Sequence, residues 1–364
     1  MKTTAAVLRS ASGPFAIEEI DLPALAPDEA LIRVAGVGMC HTDLLAREGG
    51  PRARPPIVLG HEASGVVEDV GAGVLGIRRG DHAIASFLSC DRCPNCRHGQ
   101  PAYCEDFFSL NLDGAPQGSR LATDRHGHPV ATRWFGQSTF ATHAIVSARA
   151  LVPIDPDLPL EPLGPLGCGI LTGASSVLRA LKVPPRSTFA VFGSGSVGIA
   201  AVMAARLVGA SQIIAVDADP GRLEVARALG ADDTIVPEEG MLEEQIRDIV
   251  PEGVQNCLDT TGAPAVIAAA VAALRVTGCC GLVGVQRGSL RLPSSALSAG
   301  KTVTGILVGD AVPRVTIPQL LDYWRQGRFP FDKLIAQYKL SEINQAERDC
   351  AAGTTIKAVL VPDA

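Results

Sequence analysis

The sequence predicts an α/β protein of two domains, one β-rich and one built on a doubly wound parallel sheet. Three observations predict this. A length of 364 residues exceeds one ordinary core and suits two or three domains. Up to about residue 165 the chain reads as short alternating runs broken by Gly, Pro and Asp, the signature of strands and hairpins. From residue 189 it switches to strands alternating with helical stretches, which implies right-handed crossovers between parallel strands.

In chain order, residues 30–34 and 65–71 are strand signals in the first half. Residues 105–137, rich in Gly, Asp and Arg, are the least regular, and irregular chain of that length is usually a functional loop or cover. The second half reads as strand 189–192, helix 197–208, strand 212–216 and helix 222–229. Strands at 234–236, 254–258 and 281–285 follow, with helices between them, and the most apolar helix spans 263–274. The tail from about 313 returns to a mixed pattern and is expected to rejoin the first domain.

Composition narrows the function classes. Hydrophobic residues make up 47%, which excludes a disordered chain. A formal charge of −6 argues against a nucleic-acid or acidic-membrane partner. There is no run of about 18 uninterrupted apolar residues. The opening residues return to charge before any signal-peptide apolar region, so a cytoplasmic protein with reduced thiols is expected. Ten cysteines are too few for a disulfide scaffold in a chain this long.

Gly193-Ser194-Gly195-Ser196-Val197-Gly198 follows a predicted strand and opens a predicted helix, the context a dinucleotide fingerprint requires. Gly193 permits the tight turn, Gly195 admits a pyrophosphate close to the backbone, and Gly198 allows helix and sheet to pack closely. The start of the helix, including Val197, offers unpaired N–H groups to the anion. Asp217 ends the next strand at the spacing suited to a ribose diol. Its charge would repel a 2′-phosphate, so NAD is expected over NADP. Arg222 is a candidate contact to the adenosine ribose or a solvated arginine at a helix start.

Two groups of residues have metal-binding chemistry. Cys90-x2-Cys93-x2-Cys96-x7-Cys104 offers four thiolates on one loop, the donor set of a closed, structural zinc site. An iron–sulfur run would place the fourth cysteine differently. A nucleic-acid-reading zinc ribbon does not suit the acidic charge. The second group is dispersed: Cys40, His61 and Cys168 together supply two thiolates and one imidazole, leaving a fourth position open as in catalytic zinc sites.

Cys40-His41-Thr42-Asp43, Gly60-His61-Glu62-Ala63-Ser64-Gly65, the four-cysteine lobe, Gly167-Cys168-Gly169 and the glycine fingerprint occur in the order found in zinc-dependent medium-chain alcohol dehydrogenases, which the whole chain resembles. The resemblance implies a GroES-like β-rich catalytic domain at 1–169 and 309–364, with a zinc lobe at about 89–105. A Rossmann NAD-binding domain is implied at 170–308. Residues 135–143 and 326–331 look like the aryl-alcohol (benzyl alcohol) dehydrogenases and their allylic, geraniol-type relatives. The implied reaction interconverts a primary aromatic or allylic alcohol with its aldehyde, using NAD and two zinc ions per chain, in a homodimer or homotetramer.

The resemblance also implies individual roles. Thr42 would accept the alcohol proton, Asp43 would orient the His61 imidazole, and Glu62 would ligate the metal transiently. Thr172 would contact the nicotinamide amide, and His41 and Lys357 the cofactor phosphates. The plain alternatives are turn or helix-start capping for the threonines, a solvent-facing His41 and an exposed strand lysine. Trp134 and Phe135 suit either an aromatic substrate pocket or core packing. Many relatives carry a proton-relaying histidine where this chain has Leu45, so the relay is expected to end at the cofactor ribose and bulk water. A glutathione-dependent formaldehyde dehydrogenase shares the same zinc sites, and Arg120, Arg125 and Arg133 leave that reading open. A catalytically silent NAD-binding protein is the remaining alternative, disfavoured by intact Cys40, His61 and Cys168.

Overall fold

The computed structural model describes residues 1–46 and 53–363. Two compact units form. One comprises Met1–Gly169, Val312–Pro318 and Asp332–Ala364; the other comprises Ile170–Ala311 and Gln319–Phe331. Residues 309–311 and 319–331, which the sequence reading placed in the catalytic domain, group with the second unit.

The first unit holds two sheets. The smaller runs in the order Ile57–Val58, Lys2–Leu8, Phe15–Asp21, Ala122–Asp124, Pro129–Val130. The larger runs Leu151–Ile154, His82–Ala85, Ala63–Val70, Glu29–Gly38, Lys357–Val361, Ile335–Lys339, and His143–Ser147 also pairs with Glu29–Gly38. Lys2–Leu8 alternates at its start, with Thr3 buried between exposed Lys2 and Thr4, and is then buried from Ala5 to Leu8. Fully buried Leu8, Ile20, Ile32, Leu59, Ile84 and Phe140 form its core. The tail rejoins this unit through its last strand, with Val359 opposite Gly38 and Leu360 opposite Val37.

The second unit is a parallel sheet in the order Asp233–Ile235, Gln212–Val216, Thr188–Phe192, Val254–Asp259, Leu274–Leu282, Thr302–Gly305. Numbered along the chain this is 3-2-1-4-5-6, the doubly wound order whose direction reverses beside the first strand, where dinucleotides bind. Its inner strands Gln212–Val216, Thr188–Phe192 and Val254–Asp259 are buried along most of their length, as helix-covered parallel strands are, and Ala190, Phe192, Ile214, Cys257, Ile267 and Cys280 form one buried cluster.

One element departs from the sequence reading. The helix expected at 263–274 is Pro264–Ala272, and the strand expected at 281–285 is Leu274–Leu282. Only Ala273 separates helix from strand, without Gly or Pro to mark the change, so apolar periodicity reads straight through it. Among the described residues no helix is long and apolar enough to cross a membrane.

Candidate active site

The chain brings Cys40, His61, Glu62 and Cys168 together, with one ligand atom from each lying within 4.8 Å of the others. Three local structures do this. Cys40 caps the short helix His41–Leu45, and its backbone N–H donates to Asp43 Oδ2 at 3.2 Å. His61 follows Gly60, whose φ of +89° and contact with Phe140 exclude a side chain there. Cys168 ends the 3-10 turn Glu161–Gly167.

His61 is fully buried and its Nδ1 lies 2.7 Å from Asp43 Oδ1, so the protonated nitrogen faces the carboxylate and Nε2 carries the free lone pair. Nε2 has no hydrogen-bond partner among the described residues. A buried lone pair without a partner is costly unless something fills that position. The sulfurs point the same way. A hydrogen bond from Cys168 lowers the Cys40 thiol well below the ordinary thiol range, while Cys168 is pushed up by the same contact and by burial. Burial works against a charged His61, yet Asp43 and Cys40 outweigh it and raise its pKa, so the negative groups around the ring favour a cation at Nε2, a proton or a metal ion in its place. Two soft sulfurs and an oriented imidazole lone pair converge on one point, so the donor set fits zinc.

Glu62 is buried. Its Oε1 accepts the Gly169 N–H at 2.9 Å, and its Oε2 pairs with Lys357 Nζ at 2.6 Å. Lys357, expected beside a phosphate, is itself buried and donates to Met39 O at 2.9 Å. Burial opposes its charge, but the Glu62 carboxylate keeps the ammonium's pKa above the usual lysine range. Thr42 and Leu45 are half-buried on the helix that begins after Cys40, and His41 is exposed.

Cys90, Cys93, Cys96 and Cys104 also have sulfurs within 4.8 Å of one another. Backbone N–H groups aim at them: Cys90 to Cys104 Sγ at 3.2 Å, Cys93 to Cys90 Sγ at 3.3 Å, and Cys96 to Cys93 Sγ at 3.5 Å. Such donors stabilise thiolates, and those from Glu105 and Cys96 bring Cys93 down to about 7. The loop is closed by Asn95 Nδ2, which donates to Tyr103 O at 2.7 Å. Four sulfurs in a closed loop fit a structural metal.

In the second unit, Gly193 turns at φ +94°, and a Cβ on Gly198 would strike the Gly193 carbonyl oxygen. In front of Gly195 there is open space. The helix Ser196–Val208 starts here and carries Val197 in its first turn. Asp217 Oδ2 accepts the Ser194 N–H at 2.6 Å and Oδ1 accepts that of Asp219 at 2.9 Å, tying the glycine turn to the end of the next strand. Arg222 sits in the helix Pro220–Ala228, with Nε 3.7 Å from Asp219 Oδ2. Thr172 is buried in the helix Gly169–Ser175. Open space before glycine, free helix N–H groups and a strand-end carboxylate fit a dinucleotide.

Sequence reading left Trp134 and Phe135 as pocket or core residues and did not place them beside Asp43 and His61. Trp134 Nε1 donates to Asp43 Oδ1 at 2.9 Å, and the Phe135 ring stacks on the imidazole at 4.3 Å. An indole that must be buried also needs an acceptor, which is a signal, but nothing in the sequence names Asp43 as that acceptor.

Comparison with known proteins agrees with this architecture. The alcohol dehydrogenase GroES-like domain matches residues 26–156, and the zinc-binding dehydrogenase domain matches residues 196–324. The geraniol dehydrogenase of Castellaniella defragrans is 43% identical, over 98% of this chain and 97% of that one. The crystal structure of a zinc-binding alcohol dehydrogenase domain protein from Burkholderia ambifaria superposes with a TM-score of 0.97 at 43% identity, covering all of both chains. Benzyl alcohol dehydrogenase from Acinetobacter calcoaceticus superposes at 0.93 and 38% identity, again over both whole chains.

Proposed function

The chain belongs to the zinc-dependent alcohol dehydrogenase family, and from that premise we propose that it oxidises primary allylic or aromatic alcohols to aldehydes with NAD+, and runs the reverse reaction. The observation that carries this reading is the convergence of Cys40, His61 and Cys168 on one point, with the His61 Nε2 lone pair buried and unpartnered. Zinc supplies the electrophile that makes an alcohol acidic near neutral pH, and NAD+ supplies the hydride acceptor. The chain's own residues do the rest. Cys40, His61 and Cys168 hold the metal, and Asp43 fixes the His61 tautomer. The Thr42 hydroxyl would take the substrate proton and, because Leu45 offers no acceptor at the relay position, would pass it outward to the cofactor ribose and water. Glu62 is a reserve ligand during exchange.

Cys90, Cys93, Cys96 and Cys104 hold a second, structural zinc, giving two per chain. Gly193, Gly195, Val197, Gly198 and Asp217 hold NAD, with Arg222, Thr172 and His41 as further contacts. Lys357 acts through Glu62 rather than on a phosphate. The domains divide as Met1–Gly169 with Val312–Pro318 and Asp332–Ala364, and Ile170–Ala311 with Gln319–Phe331. The enzyme works in the cytoplasm as a homodimer or homotetramer; the strand Thr302–Gly305 lies at the edge of its sheet, where a second copy can extend it.

The test is an initial-rate screen of geraniol, cinnamyl alcohol, benzyl alcohol, ethanol and S-hydroxymethylglutathione with NAD+ and NADP+, alongside metal analysis. The expected outcome is highest kcat/KM for the first three with NAD+, and two zinc ions per chain. Ethanol or the glutathione adduct winning clearly would overturn the substrate assignment, and a preference for NADP+ would overturn the role of Asp217.

A further inference from the structure

We propose that Trp134 is a positioning residue for the metal ligand His61, acting through the Asp43 carboxylate, with Phe135 fixing the plane of the same imidazole. This rests on the reading of Cys40, His61 and Cys168 as zinc ligands.

Asp43 is fully buried and takes four donors from the described residues. Its Oδ1 faces His61 Nδ1 at 2.7 Å, the Gly60 N–H at 3.0 Å and the Trp134 indole N–H at 2.9 Å, while Oδ2 takes the Cys40 N–H. The backbone donors fix where the carboxylate sits, and the indole N–H, sharing Oδ1 with His61, restrains its rotation. Without that donor, a buried carboxylate oxygen loses a hydrogen bond that no solvent can replace. Its rotation then carries the His61 ring with it, because Nδ1 follows the oxygen it donates to.

The turn bearing the indole is built for this placement. Phe135 and Ser138 both hold left-handed backbone, at φ 52° and 51°, a conformation that costs a non-glycine residue and persists only where its surroundings impose it. Ser138 Oγ accepts the Trp134 N–H at 3.0 Å and donates to Val58 O at 2.6 Å. Thr139 N–H donates to Gly60 O at 3.0 Å and Phe140 N–H to Leu59 O at 2.9 Å. The turn is therefore fastened to the segment that ends in His61. Phe135 covers one face of the imidazole at 4.3 Å with ring planes 22° apart. Asp43 sets the edge and the tautomer, Phe135 covers the face, and Nε2 is left as the free position.

The experiment follows zinc release rather than turnover. The phase of zinc loss to dipicolinate that disappears in Cys168→Ala defines the site; if Cys168→Ala releases zinc as wild type does, the ligand assignment fails and this inference with it. In that phase, Trp134→Phe is expected to release zinc about tenfold faster than wild type, the lower end of what outer-shell partners contribute to metal affinity. On an Asp43→Ala background the same substitution is expected to add nothing, because its acceptor is gone. An unchanged release rate in Trp134→Phe, or an equal acceleration on both backgrounds, overturns the proposal and leaves the zinc reading intact.

A second measurement needs no change at position 134. The chain has two tryptophans, so Trp324→Phe leaves one indole N–H resonance. That resonance is expected to resist hydrogen exchange, to move when zinc is removed and to return when it is restored. Exchange at the rate of a free indole, or a shift indifferent to zinc, refutes the coupling.

Discussion

Lys357 and Glu62 pair in the interior beside the His61 backbone, with Lys357 only 2% exposed. A buried pair is a modest net contribution when intact and an expensive loss when one member goes. Lys357→Met leaves the Glu62 carboxylate with the Gly169 N–H alone and is expected to cost about 3–5 kcal/mol, read as a lower midpoint in urea. Lys357→Met combined with Glu62→Leu should recover most of that. A phosphate contact would give the opposite pattern, a raised KM for NAD+ with stability unchanged. The two clusters of candidate metal donors are legible in the sequence because thiol and imidazole groups are few and chemically distinctive, and the structure brings each cluster together. The partners of Lys357 and Trp134 are not legible, since Glu62 and Asp43 reach them only through sheet pairing and turn geometry.

Elements were legible where a turn residue marks their ends, as at Gly193 between strand and helix, and illegible at Ala273, where nothing marks the boundary. The hairpin of Ala122–Asp124 and Pro129–Val130 lies within the segment that sequence reading left irregular, because its strands are too short for periodicity to register. Asp124 organises it. One oxygen accepts the N–H groups of His126 at 2.9 Å and His128 at 3.0 Å, and the other lies 3.1 Å from Arg9 Nη1. Burial works to raise its pKa, but the backbone donors and Arg9 outweigh it and bring the carboxyl down to about 2. A carboxyl held below its ordinary 3.8 favours the folded state when ionised. That contribution is complete above the unfolded value and fades as pH falls through the folded one. Asp124→Asn should therefore lower Tm by a constant margin from pH 6 to 8. The margin should close between about pH 5 and 2. A margin that stays constant down to pH 2 would mean that the charge of Asp124 does not hold the hairpin.

At the scale of the whole molecule, the chain closes its first unit with its last strand. Lys357–Val361 lies between Glu29–Gly38 and Ile335–Lys339, so it is interior to the sheet. It delivers Lys357 to Glu62, and its Ala358 carbonyl accepts the Met39 N–H at 2.9 Å, immediately before Cys40. The parallel sheet of the second unit draws its strands from residues 188–305 alone. Each unit is then expected to unfold by itself, with damage to one sheet leaving the other folded. Deleting residues 356–364 removes an interior strand, the Lys357 ammonium and the anchor of Cys40 together. The shortened chain should lose the zinc assigned to Cys40, His61 and Cys168, and lose one calorimetric transition, while still binding NAD+ in titration calorimetry at the site proposed for Gly193–Gly198 and Asp217. Wild-type zinc content in the shortened chain would show that the last strand does not hold the metal-binding segment in place. Loss of NAD+ binding along with zinc would show that the two units fold as one cooperative body, and the deletion separates these outcomes in a single preparation.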